Sequence, residues 1–331
     1  MKKIQKVAII GAGIAGISCA KVLRASGKLV TLFDKSTGPG GRTSHRLFEQ
    51  WGADHGAQYF TAKEELFKKE LNAWIQAGVV KPWLGKIVSL NKKHNTDIEN
   101  IGQRFVGMPT MNSLAKYLTG DIPVMLSHTI SKITKTEEGW VLFSKEKGQH
   151  PESFDFIVIA IPPKQAESLL DSQYKSLSEI CANTSMLPCW TLVAFFDKPI
   201  PLPFDGAFVA DSVFSWIARD NSKPGRSDAE TWIAQANHEW SKERIEMTNY
   251  QVEPELVAEF EKISGEPCKL YQSHLWRYAK VENPQNQSFH LDATQNIALC
   301  GDWFTESTIE GAWNSGYRLG NAISTMLSLP H

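Results

Sequence analysis

The stretch of residues 6–42 constrains the fold of this 331-residue chain more than any other segment. Residues 7–10 form a short apolar run with the length and composition of a strand that is buried on both faces. The sequence Gly11-Ala12-Gly13-Ile14-Ala15-Gly16 follows and matches the pattern G-x-G-x-x-G. Its first glycine permits a tight turn, its second lets a pyrophosphate approach the backbone, and its third lets a helix pack on the strand. Residues 14–23 predict that helix, with its N-terminus facing an anion.

An acid after a second predicted strand is the next element of this pattern. Residues 29–33 predict the strand, and Asp34 follows 18 residues after Gly16, where a carboxylate that binds a ribose hydroxyl is expected. The glycines alone would fit an ordinary tight turn, but strand, turn, helix, strand and acid in this order predict a dinucleotide site. Lys35 and then Gly38-Pro39-Gly40-Gly41-Arg42 come next; the glycines let backbone close over a phosphate chain, and the arginine offers a forked cation. NAD domains do not need this second element, so we expect FAD.

These motifs resemble the FAD-binding start of the flavin amine oxidase superfamily. A string further along, WGADHGAQYF at residues 51–60, resembles the bacterial renalase-like flavoproteins in particular. The strings SWIARDNSKPGR, ANHEWS and HLWRYAK resemble the same proteins and not the wider amine oxidases. The resemblance covers essentially the full length of the chain, and it implies a renalase-like FAD-dependent oxidase.

The resemblance also implies roles for single residues around the cofactor. The segment Gly56 to Gln58 would line the isoalloxazine ring, backbone near Ile130 would contact the adenine, and Asp302 would hold a ribityl hydroxyl. Glu310 opens a final helix whose N-terminus would stabilise the anionic reduced ring. The candidate cofactor residues are therefore Gly11, Ala12, Gly13, Ile14, Ala15, Gly16, Asp34, Lys35, Gly41, Arg42, Gly56, Ala57, Gln58, Ile130, Asp302, Glu310, Gly311 and Ala312.

The substrate face is predicted less sharply, because its candidates could equally be satisfied residues of a sheet. Arg277, like Arg219, is a candidate for binding a phosphate or carboxamide. For His55 we expect a capped, solvent-linked turn, since the sequence shows no catalytic partner for it, and we expect no general base. The candidates for the substrate face are Tyr59, Phe60, Arg219, His238, Trp276 and Tyr278.

Composition excludes several classes of partner and chemistry. Hydrophobic residues make up 42% and charged residues 21% of the chain, and the formal net charge is −1, so neither nucleic acid nor an anionic membrane is expected as a partner. The chain has no apolar run of membrane-spanning length, and its start does not have the pattern of a signal peptide. The five cysteines form no CxxC pair, which makes a metal site or a redox disulfide unexpected. We therefore expect a cytoplasmic protein.

The expected fold is α/β. It comprises a Rossmann-like FAD-binding domain with an inserted α+β substrate domain built on a mixed antiparallel sheet, as in flavin amine oxidases and p-hydroxybenzoate hydroxylase. Because Gly301-Asp302 must come near Gly11, the FAD-binding domain is expected to be discontinuous. We assign residues 1–62, 101–165 and 290–331 to it, and residues 63–100 and 166–289 to the substrate domain.

The expected activity is that of an FAD-dependent oxidase with non-covalently bound FAD. The chain has no second G-x-G-x-x-G for NAD(P)H and no CxxC to pass electrons on, so a small-molecule substrate would supply hydride and O2 would accept the electrons. Renalases oxidise 2- or 6-dihydro-NAD(P) isomers to NAD(P)+ and form H2O2, which the resemblance implies here. A flavin-containing amine oxidase and a non-catalytic flavin-binding redox sensor are the alternatives. The sequence does not predict the oligomeric state or a preference between NAD and NADP.

Overall fold

The computed structural model describes residues 5–48, 51–91, 95–97, 102–170 and 174–326. Its helices are α1 (Ile14–Ala25), α2 (Glu65–Gln76), α3 (Ser113–Thr119), α4 (Pro163–Glu167), α5 (Lys175–Ala182), α6 (His238–Glu243), α7 (Asn249–Ser264) and α8 (Ile309–Met326). Its strands are β1 (Lys6–Ile10), β2 (Leu29–Phe33), β3 (Arg46–Leu47), β4 (Gly52–Ala53), β5 (Val80–Pro82), β6 (Ile87–Leu90), β7 (Asn95–Asp97), β8 (Phe105–Gly107), β9 (Val124–Met125), β10 (Ile130–Thr136), β11 (Gly139–Ser144), β12 (Gly148–Gln149), β13 (Phe156–Ile159), β14 (Met186–Phe196), β15 (Gly206–Val209), β16 (Phe214–Arg219), β17 (Glu230–Ala236), β18 (Leu270–Val281), β19 (Phe289–Asp292) and β20 (Ile297–Cys300).

The chain divides into two compact units, and both are discontinuous in sequence. The first unit comprises Met1–Gly41, Ala115–Met186 and Lys280–His331, and the second comprises Arg42–Leu114 and Leu187–Ala279. The boundaries of these two units differ from the boundaries that we expected for the two domains. Most of the segment after the glycine-rich turn, which we expected in the FAD-binding domain, is grouped with the second unit.

A six-stranded sheet forms the centre of the first unit, with strand order β19-β20-β13-β1-β2-β9. Its central strands are parallel, and only β19 runs antiparallel to its neighbour. The strands β1, β13 and β20 are almost wholly buried, which agrees with their continuous apolar sequences. The predicted strand–turn–helix–strand unit at the N-terminus is thus confirmed.

Helices α1 and α8 pack closely because of glycines on α8. A Cβ at Gly316 would overlap the carbonyl oxygen of Ala15, and one at Gly320 would lie 2.7 Å from Cβ of Val22. The hydroxyl of Ser18 on α1 also donates to the carbonyl oxygen of Trp313, at 2.9 Å. Gly316 and Gly320 therefore let the backbone of α8 lie directly against α1.

A small antiparallel sheet of β10, β11 and β12 also belongs to the first unit. Residues 124–133 read as one strand in sequence, and this expectation is wrong. The chain leaves β9 of the central sheet, passes Ser127 with φ of 54°, and enters β10 of the small sheet. Apolar residues at both ends hid this turn, because a polar residue with positive φ is not visible in a hydrophobic pattern.

The second unit is built on a seven-stranded mixed sheet with order β18-β14-β17-β16-β15-β6-β7. Neighbours in this sheet pair antiparallel where β14, β17, β16 and β15 meet, whereas β15 and β6 are parallel. Helix α7 contributes Val252, Leu256 and Phe260, spaced four residues apart, to the core of this unit. The fold class is α/β with mixed sheets, as expected. No helix within the described ranges is long and apolar enough to cross a bilayer.

Candidate cofactor and substrate site

The glycine turn of the first unit has the shape that its sequence predicts. Gly11 has φ of 108°, and a Cβ there would lie 2.5 Å from the carbonyl oxygen of Ala160. A Cβ at Gly16 would overlap the carbonyl oxygen of Gly11. Gly13 differs, because nothing lies within 4 Å of the position its Cβ would occupy. Gly11 and Gly16 are therefore required by the protein itself, whereas the open space at Gly13 fits the approach of a phosphate chain.

Asp34 stands at the carboxyl end of β2 and is bound to the turn. Its Oδ2 accepts the backbone N–H of Ala12 at 2.7 Å, and its Oδ1 accepts that of Ser36 at 2.8 Å. Each carboxylate oxygen can accept a further hydrogen bond, so the group fits a ribose hydroxyl. The neighbouring Lys35 is exposed. Ile14 and Ala15, the other candidates of the turn, are buried in the first turn of α1.

The second glycine cluster reaches the same turn. The N–H of Gly40 donates to the carbonyl oxygen of Ala12 at 2.8 Å, and Gly40 forms a parallel bridge with Gly13. Gly41 has φ of 54°, and its Cβ position lies 3.6 Å from Cα of Gly13. Gly41 and Gly13 are thus neighbours, as a backbone that closes over a phosphate chain requires.

Acidic residues lie buried at the opposite end of the chain within the same unit. Asp302 directly follows Gly301 after β20, and Glu310 lies in the first turn of α8. The N–H of Gly301 donates to Oγ of Ser315 at 2.8 Å, which fixes the end of β20 on α8. The N–H of Gly311 is bound by Thr308 Oγ1 at 2.9 Å. Because β1 and β20 run parallel to β13, their carboxyl ends meet at one edge, where ligands of such sheets bind.

The positions of two further cofactor candidates of the first unit, Ile130 and Ala312, do not by themselves indicate a ligand. Ile130 begins β10 and is buried, and Ala312 is half-buried in the first turn of α8. The open space at Gly13 and the ribose-compatible carboxylate of Asp34 are the features that fit a dinucleotide best.

The segment Gly56 to Gln58 of the second unit is held on several sides. The N–H of Ala57 donates to the carbonyl oxygen of Arg42 at 2.9 Å, and a Cβ at Gly56 would overlap that same oxygen. The side-chain amide of Gln235 donates to the carbonyl oxygen of Gly56 at 2.8 Å, and that of Gln58 donates to it at 3.0 Å. Only glycine fits this position, and the segment has little freedom to move.

A buried ion network lies beneath this segment, and sequence reasoning missed it. The side chain of Lys223 is 0% exposed; its Nζ donates to Asp220 Oδ1 at 2.7 Å and to Gln58 Oε1 at 2.9 Å. Asp54 is also wholly buried and binds Arg226 through two guanidinium nitrogens. The only signal in sequence is that Asp220, Lys223 and Arg226 follow β16 at intervals of three residues.

The charge state of Asp54 follows from its neighbours. Burial would raise the pKa of this carboxyl, but the hydrogen bond from His45 Nδ1 at 2.9 Å, the charges of Lys223 and Arg226, and the N–H of Met111 hold it well below its usual range. Asp54 is therefore a carboxylate at neutral pH, and it is paired with the guanidinium of Arg226.

His55 does not form a solvent-linked turn, so that expectation is wrong. Its side chain is buried, and its ring lies 5.0 Å from that of His274 and 5.1 Å from that of Trp276. Burial, with the charges of His274 and Arg46, lowers the pKa of His55 to about 4, and burial with Arg46 lowers that of His274 to about 4. Both imidazoles are neutral at pH 7.

Trp276, a candidate for the substrate face, lies against the same segment. Its Nε1 donates to the carbonyl oxygen of His55 at 2.9 Å, and its ring edge would lie 3.3 Å from a Cβ at Gly56. The structure thus brings Trp276 next to Gly56, although the two are far apart in sequence.

Tyr59 belongs to a cluster of three aromatic rings and one cation, which we call the aromatic box. The box consists of Tyr59, Trp83, Trp216 and Arg104. The ring centroid of Tyr59 lies 5.4 Å from that of Trp216 and 6.2 Å from that of Trp83, and Cζ of Arg104 lies 5.1 Å from it. Lys223 Nζ lies 5.8 Å from the ring centroid of Trp83, so the ion network adjoins the box.

Phe60 and Arg219 make their contacts within the second unit. Phe60 is buried between Phe67 and Phe105, so it does not share the aromatic box. The guanidinium of Arg219 donates to the carbonyl oxygens of Ile200 and Leu202, both at 3.1 Å. It therefore binds the loop that follows β14 and is not available to bind a substrate phosphate.

The last candidates lie apart from the aromatic box. His238 begins α6, and its Nδ1 is 2.9 Å from the carbonyl oxygen of Pro188. Arg277 is exposed and forms a surface ion pair with Glu246 at 2.8 Å. Tyr278 is half-buried on β18 next to Arg277. The expected phosphate-binding role of the two arginines therefore does not match the positions of Arg219 and Arg277.

Solved structures of flavoenzymes share this fold. A protein described as a protoporphyrinogen oxidase from Exiguobacterium sp. 255-15 is 12% identical, with 97% of this chain and 99% of that chain covered and a TM-score of 0.76. Cyclohexylamine oxidase from Brevibacterium oxydans IH-35A is 14% identical, with 98% and 100% covered and a TM-score of 0.75. A putrescine oxidase bound to putrescine is 12% identical, with 96% and 98% covered and a TM-score of 0.69. Identities this low establish the fold alone.

Two family models match the sequence itself. The model of an NAD(P)-binding Rossmann-like domain matches residues 9–71, and that of flavin containing amine oxidoreductases matches residues 88–323, well over half of the chain. A Rossmann-like start in a flavin-containing family makes FAD the cofactor, and the turn around Gly13 and Asp34 fits it. The protein is a flavin-dependent oxidoreductase, and the chain belongs to the family of flavin containing amine oxidoreductases.

Proposed function

We propose that this protein is a renalase-like oxidase that removes hydride from 2- or 6-dihydro-NAD(P) and passes the electrons to O2. One dihydronicotinamide, one O2 and one proton would yield one NAD(P)+ and one H2O2. A planar ring that loses hydride needs a flat wall and no proton acceptor, because the ring becomes aromatic as the hydride leaves.

The observation that carries this proposal is the cation in the aromatic box. Arg104 lies over Tyr59, whose ring also neighbours Trp216, so an ammonium substrate entering the box would meet a like charge. A planar donor that carries phosphates would meet an opposite charge and three aromatic faces instead. This favours a dihydronicotinamide nucleotide over an amine.

The segment next to the box supports a reaction without a general base. His55 has a pKa of about 4, and Asp54 is a carboxylate whose oxygens are bound by Arg226, His45 and Met111. Neither group is suited to take a proton from a substrate at neutral pH, because the imidazole is a very weak base and the carboxylate is fully occupied. Hydride removal from a dihydropyridine requires neither.

Roles of the cofactor residues follow from the positions described above. When bound, FAD supplies the two-electron acceptor. Gly13 would leave room for its pyrophosphate, Asp34 would accept a ribose hydroxyl, and Asp302 would bind a ribityl hydroxyl. In the second unit, Gly56 to Gln58 would present backbone to the isoalloxazine ring. The ion network would hold that segment still, and Trp276 would pack behind it.

We further propose that the FAD is not covalently attached. The described cysteines are free and buried or half-buried, and burial raises the pKa of Cys300, the one nearest to Asp302 in sequence, to about 12. A thiol this weakly acidic is a poor nucleophile towards the flavin. Acid precipitation of the yellow protein should leave all the flavin in the supernatant, and a yellow pellet would contradict this.

A flavin-containing amine oxidase is the second candidate. The solved structures with this fold include a cyclohexylamine oxidase and a putrescine oxidase, which favours amines by analogy. Oxygen consumption separates the candidates. Under the proposal, 6-dihydro-NAD supports oxygen uptake with equal amounts of NAD+ and H2O2, whereas cyclohexylamine and putrescine support none. Uptake with the amines alone would establish the second candidate and refute the first.

A further inference from the structure

Arg104 has buried hydrogen-bond donors that its own protein does not satisfy. Its Nε and Nη2 are both shielded from solvent, and neither has an acceptor among the described residues. The guanidinium is nevertheless held in place, since its Cζ lies 5.1 Å from the ring centroid of Tyr59. Buried donors without a partner are costly, and in native proteins they usually have a ligand, an ion or a water as partner.

A second unsatisfied donor belongs to the same aromatic box. Trp216 is 6% exposed, and its Nε1 has no acceptor within the described part of the chain. Its ring centroid lies 5.4 Å from that of Tyr59, the ring on which Arg104 also packs. In contrast, the other indole of the box is satisfied, because Nε1 of Trp83 donates to Ser222 Oγ at 3.1 Å. Three nitrogen donors without an acceptor, on two residues, thus adjoin one tyrosine.

The chemistry of these donors selects the ligand. A guanidinium edge that offers two N–H groups matches the paired oxygens of a phosphate or a carboxylate, and an indole N–H can only donate. Another cation that adjoins the box, Lys223, is paired with Asp220 and Gln58, so it does not compete for an anion. A neutral amide has one acceptor oxygen, so it would satisfy only some of these donors.

We infer that Arg104 and Trp216 form an oxyanion subsite, with Tyr59 as its floor, that binds a phosphate of the electron donor. The inference rests on the proposed function only for the source of the oxyanion, because the phosphates of a dihydronicotinamide nucleotide are the groups available. It assigns substrate recognition to Arg104, which lies outside the quoted sequence strings, and to Trp216, which lies within one of them, in place of Arg219 and Arg277.

Calorimetric titration of the FAD-loaded protein tests the subsite without any turnover. Inorganic pyrophosphate is the probe, and benzoate and nicotinamide are the carboxylate and neutral comparisons. We expect pyrophosphate to bind, Arg104→Met to weaken it at least tenfold, and Trp216→Phe, which keeps the ring but loses the N–H, to weaken it about threefold. Arg277→Met removes an exposed arginine of the same unit and should leave the affinity unchanged.

Several outcomes would overturn the inference. These are no binding of pyrophosphate to the wild type, equal loss in Arg104→Met and Arg277→Met, or Arg104-dependent binding of benzoate alone, which would make the ligand a carboxylate. Retained FAD and a melting temperature near that of the wild type in Arg104→Met itself exclude a folding defect, and Trp216→Phe tests the subsite without removing its charge.

Kinetics separate this inference from the proposed function. If both hold, Arg104→Met raises KM for 6-dihydro-NAD at least tenfold and leaves the melting temperature within a few degrees of wild type. Oxidation with an unchanged KM would refute the subsite and keep the proposed function. Arg104-dependent pyrophosphate binding without any oxidation of dihydronicotinamides would keep the subsite and refute the proposed donor.

Discussion

At the scale of single residues, the second unit contains a buried ion network whose charges are paired with one another. The ammonium of Lys223, wholly buried, binds the carboxylate of Asp220 and the amide oxygen of Gln58. A buried pair of this kind adds little net stability, but removing one partner leaves an uncompensated charge. We therefore expect the network to fix the position of Gln58 and to be very sensitive to single changes.

Replacing Lys223 tests this sensitivity. Lys223→Met should lower the free energy of unfolding by about 3–5 kcal/mol, because it leaves Asp220 buried and unpaired. The double variant Lys223→Met with Asp220→Asn should recover part of that loss. Urea denaturation measures both, and Lys175→Met, which removes an exposed lysine 3.8 Å from Glu179, should change stability by less than about 0.5 kcal/mol. A loss in Lys223→Met no larger than in this control would contradict the buried network.

The glycines of the N-terminal turn differ from one another in a way that mutation can show. Gly13 has φ of −77° and ψ of 175°, which any residue can adopt, and its surroundings are open. Gly13→Val should therefore fold with a melting temperature close to that of the wild-type apoprotein, yet bind FAD at least a hundredfold more weakly because its side chain fills the phosphate path.

Titration of the apoproteins with FAD, together with thermal melting, measures this difference. Gly102→Ala, at an exposed and open position, is the control and should bind FAD normally. A Gly13→Val protein that binds FAD as the wild type does would show that the pyrophosphate lies elsewhere.

At the scale of elements, the first unit depends on the close approach of α1 and α8. Gly316 meets the carbonyl oxygen of Ala15 in the first turn of α1, so the contact also sets the angle at which α1 leaves the glycine turn. Backbone cannot yield to an added methyl group as a flexible side chain can.

Gly316→Ala should lower the free energy of unfolding by about 2 kcal/mol, although alanine has the better helix propensity, because the methyl group would overlap the backbone of α1. Asn321→Ala, at an exposed position of the same helix, is the matched control and should be neutral or slightly stabilising. Chemical denaturation measures the free energy of unfolding of both variants. A Gly316→Ala protein more stable than the wild type would show that α1 and α8 can move apart without loss of stability.

At the scale of the whole molecule, pH acts through buried groups of the second unit. The pKa of His55 and of His274 falls from 6.5 to about 4 on folding. Between these values the unfolded chain binds protons that the folded chain does not, so stability falls as the pH falls from about 6.5 to about 4. Asp54 acts at lower pH, since its carboxylate form stabilises the fold above its ordinary pKa of 3.8 and loses this effect as the pH falls further.

His55→Gln should flatten the stability profile between pH 6.5 and pH 4 by about 2 kcal/mol, after allowance for residual contact with solvent. Below pH 4 the variant should keep the slope of the wild-type profile, because Asp54 still titrates there. Urea midpoints measured at half-unit intervals give the profile, with Asn321→Ala, which removes no titratable group from an exposed position, as the control. An unchanged slope in His55→Gln would mean that this imidazole is protonated in the folded state.

The sequence predicted the parts of this molecule that depend on local signals. The bounds of β2 are as expected, and those of β1 and α1 are close, because an apolar strand, a glycine turn and a helix are each encoded within a few residues. The pairing of β6 with β15 could not be predicted, since it joins segments more than a hundred residues apart. The environment of His55 was misjudged for the same reason, because its neighbours His274 and Trp276 lie more than two hundred residues away.

The central claim is that a planar dihydronicotinamide, and not an amine, reduces this flavoprotein. Anaerobic rapid mixing of the FAD-loaded protein with each donor, followed at the flavin absorbance band, measures this directly. We predict fast and complete bleaching by 6-dihydro-NAD and none by NADH or benzylamine. Bleaching by benzylamine but not by 6-dihydro-NAD would contradict the claim and establish an amine oxidase, and a flavin that none of these donors reduces would favour a redox sensor.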